Sequence, residues 1–486
     1  MSVVSRAVAV EQNFAAFVKD RAAVAPRAAG LDAPVREGTG LSARRAVALF
    51  RAQIESRILD LLARELKQQD QSFYTIGSSG HEGNAALADH LTVDDPAFLH
   101  YRSGAFMAAR ARRGEGETPI FDTLLSLVAS AEDPVSGGRH KVFGSHSLFV
   151  PPQTSTIASH LPKAVGCAFA RPRMARLGLP GRSPRDAIVY CSFGDASTNH
   201  ATAQAGFNAA AAARLHRQPC PILFACEDNG FGISVRTPAD YIERAFRARP
   251  GLHYFHADGR DLVGTYTQAA AAIALCRRAQ QPVFFHLRTE RLMGHAGTDV
   301  ETTYKTLAEI EAHEERDPLL AFADLLLRSG ALSLADMRAL HRDLQARIER
   351  AGAQACTRRK LTSAAEVTAP LAWPEPSTLA VRTAPAAARE RAFAGELPEH
   401  DERPRHMAFQ LALGLRDLMA AYPEMFVFGE DVARKGGVYH VTAGLHAAFG
   451  TGRVFNTILD ETTILGVAQG MATAGCLPFP EIQYLA

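Results

Sequence analysis

Long apolar runs are missing from this 486-residue chain, and no stretch approaches the roughly 20 residues that span a bilayer. An excess of one charge is missing too. The chain carries 53 Lys and Arg against 51 Asp and Glu, a formal net charge of +2, with no aromatic-interleaved basic stripe. That excludes the electrostatic footprint of a nucleic-acid binder. No Cys-x-x-Cys pair occurs among the seven cysteines at 167, 191, 220, 226, 276, 356 and 476. Odd in number and often inside apolar runs, they are expected to be buried free thiols in a reducing compartment rather than disulfides or a zinc site. The first residues, MSVVSRAVAVEQ, have too little apolar length for a secretory signal, and Glu11 and Asp20 count against a transit sequence. A cytoplasmic location is the expectation. No GxxxxGK[ST] loop is present, which excludes a Walker-type nucleotide hydrolase.

What is present has the composition of a soluble globular protein, 47% hydrophobic and 21% charged. Residues 1–40, Ala-rich with Pro26, Gly30, Pro34 and Gly38, predict a loosely docked arm. Residues 41–330 read as one α/β domain. It opens with an amphipathic helix over 41–69, whose core face is Val47, Phe50, Ile54, Ile58, Leu61, Leu62 and Leu66, with Arg51, Arg57 and Lys67 on other faces. Residues 130–156, rich in Gly, Ser, Pro and His, predict a functional loop, and a helix follows over 159–170. The 269–278 helix leads to a strand over 282–287 and a loop bearing Arg288, Arg291 and His295. Residues 331–404 read as a helical tail and, from about 353, a linker punctuated by prolines. A partial second domain is expected over 405–486, ending in a strand over 482–485.

The chain is organised around Phe193 to Ser234. Apolar runs over 188–193 and 221–226 predict buried parallel strands, joined by a helix from Thr198 with Ala203, Phe207, Ala210 and Leu215 on one side. A strand-helix-strand unit places the turns Gly194-Asp195 and Asp228-Asn229 at one carboxyl edge of the sheet, where ligands of open α/β sheets bind. Asp195 and Asn229 offer the hard oxygens that suit Mg²⁺ beside phosphate. Such dipeptides are equally ordinary turns. Arg102, after a short strand, has the fork that phosphate oxygens accept, and is equally a surface arginine when taken alone.

Further motifs decide between these readings. They are HYRSG at 100–104, PPQTSTIASHLPKAVG at 151–166, AGFN at 205–208, RLMGHAGTD at 291–299, ILDETTILG at 458–466 and EIQYLA at 481–486. With Gly194-Asp195-Ala196 and Asp228-Asn229, they resemble the thiamine-diphosphate-dependent dehydrogenase component of 2-oxo acid dehydrogenase complexes, branched-chain (2-oxoisovalerate) type. Residues from about 45 to 325 resemble the whole α subunit, and 405–486 the first part of the β subunit. The resemblance implies a thiamine-diphosphate-binding fold, a doubly wound parallel sheet with helices on both faces, plus a second, incomplete domain of the same type. It implies oxidative decarboxylation of a 2-oxo acid, with acyl transfer to a lipoyl-bearing transacylase. Two such chains would mimic an α₂β₂ assembly as a homo-oligomer. The alternative expectation is a truncated remnant that binds cofactor or partner subunits only.

Site residues carry over by position. Asp195, Asn229 and the carbonyl of Phe231 are implied to hold Mg²⁺ on the cofactor diphosphate, within a lining of Gly194, Ala196, Ser197, Gly232 and Ile233. Tyr101, Arg102 and His295 match residues that contact the diphosphate, and His295 also assists acyl transfer. Ser155 and Ile157 match the segment that cradles the cofactor rings. Glu461 matches the glutamate that bonds the aminopyrimidine and activates the cofactor, a task that asks for a carboxyl kept partly protonated by burial. Two positions depart from the family motif, Ala196 in place of Gly and Asp228 in place of Asn.

Overall fold

The computed structural model describes residues 6–20, 30–372 and 382–484. A five-stranded sheet is formed by β1 (Ala97–Phe98), β2 (Val189–Gly194), β3 (Ile222–Asp228), β4 (His253–Asp258) and β5 (Val283–Arg288). Its order is β1-β2-β3-β5-β4, and every neighbouring pair is parallel. β2 is buried along its whole length and β3 in all but its last residue. This is why both read as unbroken apolar runs rather than alternating ones. A second parallel sheet holds β6 (Met425–Gly429), β7 (Val454–Asn456) and β8 (Leu477–Glu481) in the order β8-β6-β7. β8 lies earlier than the expected 482–485 strand, of which Leu485 is outside the described residues. Its Pro478 and Pro480 are tolerated because β8 is an edge strand.

Five helices position the site: α1 (Ala43–Gln68), α2 (His160–Arg176), α3 (Ala201–Leu215), α4 (Leu262–Ala279) and α5 (Glu461–Thr473). Ser42 caps α1 by accepting from Arg45 N, and Asp460 caps α5 by accepting from Thr463 N at 3.0 Å. α2 and α5 lie against each other with almost no side chain between them. A Cβ on Gly166 would strike the Val467 backbone, one on Gly466 would strike Pro162, and one on Gly470 would strike the Lys163 carbonyl. Pro162 meets Gly466, and both Lys163 and Cys167 meet Gly470, so the two helices touch at their glycines. A single buried cluster joins Phe193, Phe224 and Phe284 of the first sheet and Phe207 of α3 to Phe426, Phe428, Phe455 and Val467 of the second part.

Several expectations are corrected. The amino-terminal arm holds a helix, Arg6–Asp20, that buries Val10, Phe14 and Val18. Arg57, off the apolar face of α1, is nonetheless buried, between Glu82 and Asp317. α3 begins at Ala201, after a 3-10 turn over Asp195–Asn199, and its Leu215 is exposed where the helix leaves the core. The expected linker contains helices Ala364–Thr368 and Ala386–Phe393, and Phe393 packs with Ala420. Its proline-rich middle, 373–381, lies outside the described residues. All seven cysteines are free, six of them buried. Among the described residues no helix is long and apolar enough to cross a membrane.

Candidate active site at the carboxyl edge of the first sheet

β2 and β3 pair in register so that Gly194 stands opposite Glu227, and the chain leaves both strands at the same level. Asp195 follows in the 3-10 turn and is fully buried. Its Oδ2 accepts the Thr237 hydroxyl, and Thr237 N donates to Gly230 O at 2.9 Å, so one threonine ties the two turns together. Asp195 Oδ1 is buried with no hydrogen-bond partner. Burial, and next the charge of Asp228, push the Asp195 carboxyl up to about 7. A buried, unpaired carboxylate oxygen beside a second acid is the environment a divalent cation relieves, so the donor set fits Mg²⁺. Asn229 Oδ1 accepts from Phe231 N at 3.1 Å, and the turn is made by Gly230 at φ 76°. Gly232 packs against Ala196 so closely that a Cβ on it would stand 2.6 Å from the alanine's. Ser197 is buried in the same turn.

A cationic wall faces this edge. Arg102 donates to Gly77 O at 2.5 Å and to His295 O at 2.9 Å, and sits 5.2 Å from the Tyr101 ring. These acceptors are uncharged, so the buried guanidinium keeps an unneutralised charge suited to an anion. Tyr101 meets His295 edge-on at 6.1 Å. Burial, with the charges of Arg102 and Arg291, holds His295 down to about 4, so it is neutral at pH 7. Arg291 donates to Ile233 O at 2.7 Å and to the Tyr304 hydroxyl at 2.8 Å, joining the His295 loop to the Asn229 turn. Thr237 thus joins the Asp195 and Asn229 turns, and Arg291, Tyr304 and Asp299 link Ile233 to His295, which in turn meets Tyr101 and Arg102.

The family model of the dehydrogenase E1 component matches residues 50–363. The chain belongs to that family. The transketolase pyrimidine binding domain matches residues 405–486, and both families have thiamine-diphosphate-binding folds. Relatives of the dehydrogenase E1 chain include 2-oxoisovalerate dehydrogenase subunit alpha of Caenorhabditis elegans, 27% identical over 58% of this chain and 62% of that protein. The Bacillus subtilis subunit alpha is 26% identical over 61% of this chain and 86% of that protein, and the human one 26% over 60% and 63%. The chain spans about 60% of the length of the nematode and human relatives.

Three carried-over positions stand apart from the linked group in this E1 chain. Ser155 and Ile157 are exposed on the loop before α2, and Glu461 is exposed in the first turn of α5. The burial expected of Glu461 is not found: it follows the capping residue Asp460 at the start of the helix and stays exposed. Other polar groups behind the turns escaped the sequence reading. His81 Nδ1 lies 2.6 Å from Glu227 Oε2, and Asn84 Nδ2 lies 3.4 Å from both Glu227 oxygens. All three residues are fully buried. Burial lowers His81 and raises Glu227, so neither takes its charge easily. Glu227 had left one signal, a carboxylate closing an apolar strand. His81 and Thr237 had left none.

Proposed function

We propose that this E1-family chain decarboxylates a 2-oxo acid oxidatively, a branched-chain one in the first instance, and passes the acyl group to a lipoyl-bearing transacylase. The observation that carries the reading is the buried Asp195 Oδ1, unpartnered beside the Asn229 turn and facing the same edge as the uncompensated Arg102. Asp195, Asn229 and the Phe231 carbonyl would hold Mg²⁺, with Tyr101, Arg102 and neutral His295 on the diphosphate. Gly194, Ala196, Ser197, Gly232 and Ile233 shape that cradle. Ser155, Ile157 and Glu461 would meet the rings. When bound, thiamine diphosphate supplies a carbon nucleophile for the 2-oxo carbon and a sink for the electrons that decarboxylation releases. Around it, Arg102 would balance phosphate charge, and neutral His295 would present an imidazole nitrogen near the acyl group. Glu461 would hydrogen-bond the aminopyrimidine, and a homo-oligomer is part of the proposal.

The exposure of Glu461 favours one second reading, cofactor binding without turnover. Two measurements separate them. Calorimetry with thiamine diphosphate and Mg²⁺ is expected to show binding that Asp195→Asn abolishes, and no binding at millimolar cofactor would sink the cofactor assignment. Decarboxylation of 3-methyl-2-oxobutanoate with an artificial electron acceptor is expected to exceed that of pyruvate and to collapse in Glu461→Gln. Tight cofactor binding with no turnover supports the second reading.

A further inference from the structure

Behind Asn229 runs a line of buried groups whose hydrogen bonds have one direction. Phe231 N–H stands 3.1 Å from Asn229 Oδ1, and a backbone amide only donates, so the atom it meets is the amide oxygen. The amide nitrogen then faces His81 Nε2, at 3.2 Å. A donor at that point requires Nε2 to accept, and in a neutral imidazole the proton is then on Nδ1. Nδ1 meets Glu227 Oε2 at 2.6 Å. Asn84 secures the far end, with Nδ2 3.4 Å from each Glu227 oxygen and 3.3 Å from the Arg102 carbonyl.

His81 and Glu227, with His100, are also the one group of three His, Cys, Asp or Glu side chains among the described residues whose ligand atoms lie close enough together to hold a metal ion. The 2.6 Å contact argues for a hydrogen bond instead. Two ligands each about 2.0 Å from a tetrahedral ion stand about 3.3 Å apart.

We propose that His81 and Glu227 are positioning residues that set the Asn229 amide, turning its oxygen rather than its NH₂ toward the metal. The inference rests on the assignment of Mg²⁺ to Asp195 and Asn229. Glu227 pins the imidazole proton on Nδ1, His81 Nε2 takes the amide N–H, and the amide oxygen keeps a lone pair free beside the Phe231 bond. A reversed amide would point two N–H groups at a cation.

Mn²⁺ binding in the presence of thiamine diphosphate, read by electron paramagnetic resonance of the free ion, tests this without turnover. His81→Asn reaches Glu227 but not Asn229, and is expected to weaken Mn²⁺ ten- to a hundredfold, the usual loss for a partner of a metal ligand. His81→Gln reaches Asn229 with an oxygen and is expected to stay within about threefold of wild type. Glu227→Leu frees the imidazole proton and is expected to weaken Mn²⁺ about tenfold with His81 present, yet to have little effect in the H81Q background. E227A serves if the leucine is not accommodated, and thermal melts confirm folding. Equal losses from E227L in both backgrounds, or H81N binding like wild type, overturn the proposal. Wild type and Asp195→Asn binding Mn²⁺ alike would instead overturn the metal assignment on which it rests.

Discussion

Arg57 shows how far one residue can depart from its place in a helical pattern. Its NH1 and NH2 reach both Asp317 oxygens at 2.7 and 2.8 Å while Nε meets Glu82 at 2.8 Å, all buried. Burial raises Glu82 to about 7, the adjacent guanidinium opposing the shift. Arg57→Met leaves two buried carboxylates uncompensated and is expected to destabilise the chain by about 3–5 kcal/mol in urea unfolding. His160 provides a pH dependence of known sign. Its Nε2 donates to Ser192 O at 2.8 Å, and burial lowers it from 6.5 to about 4. Between those values the unfolded chain binds more protons, so this contribution is full above pH 6.5 and is lost as pH falls through 4. The shift is worth up to about 3 kcal/mol. His160→Gln keeps a donor without titrating, and its melting temperature is expected to fall less between pH 7 and 4. Parallel melting curves for the two proteins would refute this.

Helices and turns meet here through missing side chains. α2 and α5 approach backbone to backbone at Gly166, Gly466 and Gly470. Gly470→Val is expected to undock α5. Hydrogen exchange in α5 should then quicken while β2 and β3 stay protected, and unchanged α5 protection would count against it. Gly232→Ala is expected to cost about 1–3 kcal/mol by overpacking, because Ala196 already fills the space. Adding Ala196→Gly should recover most of that in a melting-temperature cycle, and additive losses would disprove the coupling. At this scale much was legible. β2, α3 and β3 follow from apolar runs and turn residues, since strands buried on both faces have continuous apolar sequences. β4 was not legible, because HYFHAD is half-buried at the sheet edge and carries two histidines and an acid.

Across the whole molecule, one apolar cluster packs the first sheet against the second part. A ligand at the Asp195 edge should therefore stabilise all of it. Thiamine diphosphate with Mg²⁺ at a hundred times its dissociation constant is expected to add about 2.7 kcal/mol, seen as a concentration-dependent rise in melting temperature. Asp195→Asn should remove the rise, and a rise that survives the substitution would place the ligand elsewhere. That the Asp195 and Asn229 turns share one edge was legible because a parallel strand-helix-strand unit puts both its turns there whatever surrounds it. The polar groups behind it were not, because His81 and Glu227 lie 146 positions apart and no local pattern joins them. The sequence by itself determined the buried strands β2, β3 and β5 and the placing of the Asp195 and Asn229 turns on one edge, since periodicity and turn chemistry act over a few residues. Only the tertiary structure decided that Arg57 is buried, that Glu461 is exposed and that His81 stands behind Asn229. Burial and hydrogen-bond direction depend on which distant partner a side chain meets.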